Sequence, residues 1–326
     1  MSVNNATDAS SEATPMFSPK DYPLGAMIIV FSGFVGVLVN GYVFFAVRKA
    51  KTFGYAFGRI CISHTIANFG NCFVFGFLIA PILITNPEFH PTYLGARCGQ
   101  FLIMVYNASL FSHLLTAINR FCVVYFPLKY NLLFDETTTK ICIGVVWAIS
   151  VIQVLPYFSY DCTLYFDAGT LEMLPTNTLC SLVVILYMCY YLSVVVIAIF
   201  GVLDFFTFLG IHFHNRNRVA ANGNKVKQRR EIRFFFQACV QDFAFLSELI
   251  LYFSIAPYFN DNKWAHFMLT TFAWIGVHTV DGLIVIAFNK EIRTMINPRS
   301  SPSSIYNSSG PQISAYGRRD HPTSSS

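Results

Sequence analysis

Seven runs of this chain are each long and apolar enough to cross a bilayer, which removes most folds from consideration. A hydrocarbon core about 30 Å thick takes roughly 20 helical residues. Inside lipid, backbone amides must pair within their own helix or within a closed barrel. The spacing predicts helices over residues 24–47, 60–84, 98–121, 141–158, 181–205, 234–257 and 265–288. The expected fold is an all-α membrane protein, a seven-transmembrane helix bundle over 24–297. A polar tail over 1–23 precedes it, and a tail over 298–326, rich in Ser, Pro and Asn, is expected to be disordered.

The lysines and arginines test this arrangement. With the N-terminus outside, only Lys20, Arg97 and Lys263 fall on the outer side, and the other 19 of the 22 fall inside. Positive residues in short loops mark the cytoplasmic face, so the asymmetry selects this orientation over its inverse. With 54% hydrophobic and 12% charged residues, the chain is too apolar for a soluble domain. The net charge of +5 sits where inner loops meet lipid headgroups, and no nucleic-acid partner is expected.

No cleavable signal peptide is expected, because residues 1–23 lack a short apolar core followed by a small-residue cleavage site. Asn5-Ala6-Thr7 is a glycosylation sequon on the outer side. Similar triplets at Asn107 and Asn307 fall in a helix and in the cytoplasm, where they stay bare. Of nine cysteines, Cys98, Cys162 and Cys180 lie in the oxidising compartment, enough for one disulfide with one thiol over. Cys98 with Cys180 is the favoured pair and Cys162 the alternative partner. No local His/Cys spacing suggests a metal, and the absence of internal repeats argues against a two-halves transporter.

At the inner end of helix three the chain reads Asn119-Arg120-Phe121, then Pro127-Leu128-Lys129-Tyr130. This resembles the DRY and PLxY segment of rhodopsin-like G-protein-coupled receptors. Asn40, Ile66-Ala67-Asn68, Trp147 and Asn289-Lys290-Glu291-Ile292-Arg293 match the same family; the last implies a short cytoplasmic helix after helix seven. A narrower resemblance covers nearly the whole chain. Phe57-Gly58-Arg59, Ser63-His64-Thr65-Ile66-Ala67-Asn68, Ile232-Arg233-Phe234-Phe235, Gln237-Ala238-Cys239, Thr270-Thr271-Phe272-Ala273-Trp274, His278-Thr279 and Asp281-Gly282-Leu283-Ile284-Val285 are similar to nematode serpentine chemoreceptors of the Srx type.

That resemblance implies a multi-pass plasma-membrane receptor, in the sensory cilium of chemosensory neurons, for a small-molecule or pheromone-like ligand. Its partner would be a heterotrimeric G protein, with Asn119, Arg120, Phe121, Pro127, Lys129 and Tyr130 at the coupling face. In such receptors the arginine is released to meet the G protein when helix six moves outward. The chain departs from the pattern in several places. Asn119 replaces the acid beside the arginine and Phe121 the tyrosine. Asn68 stands where an aspartate helps bind sodium, so that site is expected to be weakened or absent. Asp281 to Val285 occupies the NPxxY position without its proline or tyrosine.

A charge near the bilayer centre costs roughly 2.5 to 3.5 kcal/mol on insertion scales, so intramembrane acids need partners inside the bundle. Asp281 is expected to face Asn40 and Asn68 as a polar core. Glu248 and Asp242 lie about 22 and 13 Å along helix six from Arg233, which puts Glu248 at ligand depth. Tyr106, Asn107, Tyr187, Tyr191, Glu248, Tyr252, Trp274 and His278 form the candidate ligand pocket, aromatic with a few polar groups.

Nothing matches a Ser-His-Asp set, a phosphate-binding glycine loop or an intramembrane metal pair, so neither an enzyme nor a cofactor is expected. No lysine in helix seven is placed for a retinal Schiff base. The leading expectation is a G-protein-coupled chemosensory receptor. A ligand-gated channel subunit and a receptor-like protein that does not signal are the alternatives.

Overall fold

Each predicted crossing is a helix in the computed structural model, which describes residues 16–50, 53–218 and 225–296. The sequon at Asn5 and the tail from Pro298 lie outside the described residues. The crossings are α1 (Tyr22–Lys49), α2 (Tyr55–Thr85), α3 (Ala96–Tyr125), α4 (Glu136–Gln153), α5 (Leu179–Phe213), α6 (Ile232–Phe259) and α7 (Lys263–Phe288). The short α8 (Lys290–Ile296) follows α7 after one extended residue, Asn289.

All but α4 have the length and hydropathy of a membrane span. The fourth has 18 residues, about 27 Å by helical rise, with Glu136 and Lys140 in its first turns. It begins five residues earlier than the apolar run suggests, because the Asp135 carboxylate caps it, accepting from the Thr138 amide at 2.6 Å. It ends at Gln153, just before Pro156.

Helix α3 is the axis of the bundle, about two-thirds buried, with α2, α4, α5 and α6 packed around it. Helix α1 closes the ring by packing on α2 and α7. Its approach to α2 depends on glycine: a Cβ at Gly33 would stand 2.7 Å from the Gly76 Cα and 2.8 Å from the Cys72 carbonyl oxygen. Small residues at such contacts let membrane helices gain dispersion and interhelical bonds where no hydrophobic driving force exists. Phe31, Phe45, Phe205 and Phe243 stay more than half exposed on the outside of the bundle, surface that only lipid would cover without cost.

Among the described residues, one element is not helical. The loop between α4 and α5 folds into a hairpin, β1 (Leu164–Asp167) paired antiparallel with β2 (Glu172–Pro175), Leu164 opposite Pro175. Its alternation points Leu164, Phe166 and Met173 into the bundle's outer mouth. Leu171 in the turn adopts φ 55°, unusual for a branched residue. Its side chain is fully buried and its carbonyl accepts from Thr271 of α7 at 2.7 Å. Phe17 of the N-terminal segment lies across the hairpin, donating its amide to the Gly169 carbonyl and packing edge-on against Trp264 at 4.9 Å.

The hairpin also decides the disulfide. Cys162 and Cys180 flank it with Cα atoms 5.2 Å apart and are bonded. Ser181 donates to the Thr163 carbonyl at 2.9 Å, and Thr178 donates to that of Asp161, closing the neck. Cys98, the favoured partner on sequence grounds, is free; it packs half-buried against the apolar core of the bundle. The expectation of a Cys98 bridge is therefore corrected to Cys162–Cys180.

Candidate functional site

Beneath the hairpin lies a cavity of about 220 Å³. Its roof is Leu164 and the strand from Glu172 to Pro175, and its walls come from α3, α5, α6 and α7. Three of these walls carry π-helical turns near the cavity, at Ile185–Tyr191, Leu251–Ile255 and Met268–Phe272. Such turns often mark functional sites, because the extra residue re-aims the side chains around it. Tyr106 and Tyr252 both meet Trp274 edge-on, with centroids 5.7 and 5.9 Å away. Glu248, also lining the cavity, is 5% exposed and its Oε2 has no hydrogen-bond partner. Glu172 in the roof is occupied, its carboxylate 2.9 Å from Nε2 of His266.

Below the cavity the bundle is polar. The Asp281 carboxylate accepts from Asn68 Nδ2 at 3.0 Å and lies 2.9 Å from Nε2 of His64 and 3.5 Å from Nε2 of His113. Nδ1 of His113 lies 2.7 Å from the Asp242 carboxylate on α6. Ser109 donates to the Asn68 carbonyl oxygen at 2.9 Å, and His278 Nδ1 stands 2.8 Å from that same oxygen. Side chains from α2, α3, α6 and α7 thus meet around one carboxylate, all nearly fully buried. Buried networks of this kind hold discrete arrangements, because losing one partner leaves others unpaired.

At the inner end, Arg120 is buried with its guanidinium 4.6 Å from the centroid of Phe57, and its Nε and Nη2 have no hydrogen-bond partner. Asn119 donates to the Tyr130 hydroxyl at 3.0 Å, so it anchors the second inner loop. Phe53, Phe57 and Phe234 stack into a cluster joining the first inner loop, α2 and α6. Asn289 donates to Gln237 at 2.8 Å, tying the end of α7 to α6. Pro127, Leu128 and Lys129 are exposed on this face, as is Leu132 beyond them. Phe121 stacks on Tyr125 at 4.6 Å.

The structure divides the sequence-derived pocket. Tyr106, Glu248, Tyr252 and Trp274 line the cavity. Tyr187 and Tyr191 do not: they are 57% and 48% exposed on the outer surface of α5, because the π-helical turn presents Cys189 inward in their place. Asn107 is fully buried but off the cavity, its amide unpaired. His278 belongs to the polar core, bound to Asn68. Asn40 does not reach the Asp281 carboxylate; it donates to the main-chain carbonyls of Gly36 and His278, bracing α1 against α7.

His64, His113, Ser109 and Asp242 join the core without having been assigned to it from the sequence. His64, His113 and Asp281 each offer a metal-ligand atom within 4.8 Å of the others. These donors come from three helices, so no local spacing announces them. In this structure His64 and Asp281 already bond neighbouring side chains, and an ion there would have to displace those contacts.

Residues 30–289 match the family model described as serpentine type 7TM GPCR chemoreceptor Srx. Among curated proteins, Serpentine receptor class X 45 of Caenorhabditis elegans is 30% identical over 84% of this chain and 80% of its own length. Serpentine receptor class X-43 of the same organism is 28% identical over 84% and 86%. Among solved structures, squid rhodopsin superposes with a TM-score of 0.69 at 16% identity, covering 86% of both chains.

Proposed function

This chain belongs to the serpentine 7TM chemoreceptor family Srx, and we propose that it detects an extracellular small molecule in the cavity beneath the hairpin and activates a heterotrimeric G protein. The carrying observation is the Asp281 core, which links the helices lining that cavity to those framing the inner face. A ligand shifts a two-state equilibrium only by binding one state better than the other. A cavity walled by α3, α5, α6 and α7 is sensitive to any change in how those helices pack. Below it, the Asp242 and His113 contact spans α6 and α3, the pair whose separation would expose Arg120.

On this reading Arg120, with Asn119, Phe121, Pro127, Lys129 and Tyr130 around it, forms the coupling face. The receptor sits in the plasma membrane, and the sensory cilium of a chemosensory neuron is the compartment the family suggests. Stimulated nucleotide exchange on a G protein, in cells expressing the intact chain, tests the assignment with surface-matched Arg120→Ala as control. A response present in the wild type and lost in the variant supports it. A membrane current that persists without Arg120 moves the protein to the channel class.

A further inference from the structure

We propose that the cavity ligand is a compact organic cation, a protonated amine or quaternary ammonium, whose charge is held by Glu248. This rests on the reading that the cavity is where the stimulus binds. Thirteen residues line the cavity; two are carboxylates and none is lysine or arginine. Glu172 already has a partner in His266. Glu248 has none at Oε2, although 95% of the residue is withdrawn from solvent. A carboxylate left unpaired in apolar surroundings is costly, and a ligand cation relieves that cost.

The rest of the lining suits the same guest. Tyr106, Tyr252 and Trp274 supply aromatic rings around the acid, and such rings attract ammonium groups most strongly when water is excluded. About 220 Å³ is below the usual range for drug-sized ligands, which selects a small one. Trp274 Nε1 is a buried donor without a partner, available to an acceptor elsewhere on the guest. A carboxylic acid would meet two acids and no base among the lining residues, and a neutral guest would bring no charge to pair with the Glu248 carboxylate.

The test uses the purified full chain in lipid nanodiscs, followed by thermal stability. The probes are phenethylamine, its N,N,N-trimethyl derivative, the neutral (3,3-dimethylbutyl)benzene and phenethyl alcohol, and the anion 3-phenylpropanoate. The expected result is stabilisation by the two cations at concentrations at least about tenfold below any effect of the neutral or anionic probes. In Glu248→Gln, the cation effect weakens by about tenfold or more. Equal stabilisation by a neutral isostere overturns the proposal, as does an unchanged effect in Glu248→Gln or no effect of either cation. The charge series on the wild type decides the matter even if the variant fails to fold. Nucleotide exchange separates the two readings. Cations that bind through Glu248 without promoting exchange keep the cation site and remove the receptor function. A neutral activator acting through Arg120 does the reverse.

Discussion

The Asp281 carboxylate of α7 lies 2.9 Å from Nε2 of His64 on α2, both deep in the bundle. Around that pair gather Asn68, His113 and, through His113, Asp242, so that one acid organises contacts among four helices. The core holds this packing together, and it is also where a different packing would have to be built.

Breaking its link to α6 should favour the alternative. Asp242→Ala and His113→Phe each remove the 2.7 Å contact between α3 and α6. Each should raise unstimulated nucleotide exchange severalfold. In a double-mutant cycle on thermal stability the two should couple by about 1 to 2 kcal/mol, the upper range for polar pairs between membrane helices. Additive effects would place the two residues in separate networks.

Of the three outer cysteines, Cys162 and Cys180 are bonded and Cys98 is free. Cys162→Ser and Cys180→Ser should each lower surface expression, and the double variant should be no worse than either single one. Cys98→Ser should be silent. A closed loop of this length stabilises by about 3 kcal/mol in the chain-entropy model. Surface labelling of the four variants checks it.

The contact between Gly33 and Gly76 leaves no room for a side chain. Gly33→Val should separate α1 from α2 and abolish surface expression, because the atoms met are backbone and cannot swing aside. Gly144→Ala serves as the contrast, since a Cβ there meets nothing within 4 Å. Flow cytometry on tagged chains compares the two.

His90, in the first outer loop, is buried against Phe166 with ring centroids 5.2 Å apart. Desolvation holds its imidazole down to about 4. An unfolded histidine titrates near 6.5, so the folded protein binds fewer protons than the unfolded chain between those values. The contribution is complete above about pH 6.5 and is lost as pH falls towards 4, by up to about 3 kcal/mol. Thermal scans from pH 7.5 to 4 should be flatter in His90→Phe than in the wild type.

At the outer end of α1, Asp21 receives the Lys263 ammonium at 2.7 Å, and that bond lowers its carboxyl to about 2. The pair is present above about pH 3.8 and lost as pH falls through 2, below the window that His90 governs. Being solvent-accessible it contributes little, and high salt should weaken it further. Lys263→Met should therefore leave thermal stability at neutral pH close to that of the wild type.

What the sequence made legible follows from which forces act locally. Crossing a bilayer is a property of each segment alone, so seven runs and the sidedness of charge sufficed for the helices and their orientation. The start of α4 was missed because Asp135 extends it through a polar turn that hydropathy cannot weigh. Asp281 and Asn68 were readable as partners because intramembrane polar groups must find one another. His113 was not, since only the rotation of α3 in the bundle brings it between two acids. The hairpin displaced two further expectations. It draws Cys162 to Cys180, and it roofs a cavity that the π-helical turn of α5 turns away from Tyr187 and Tyr191.

Nucleotide exchange by Asp281→Asn at matched surface density tests directly whether this core links the outer cavity to the inner face. The substitution keeps the shape and removes the charge that His64 and His113 face. The ratio of stimulated to basal exchange should change by at least several-fold. Trafficking, basal exchange and stimulated exchange all equal to wild type would contradict it, and would reduce the core to a packing clamp.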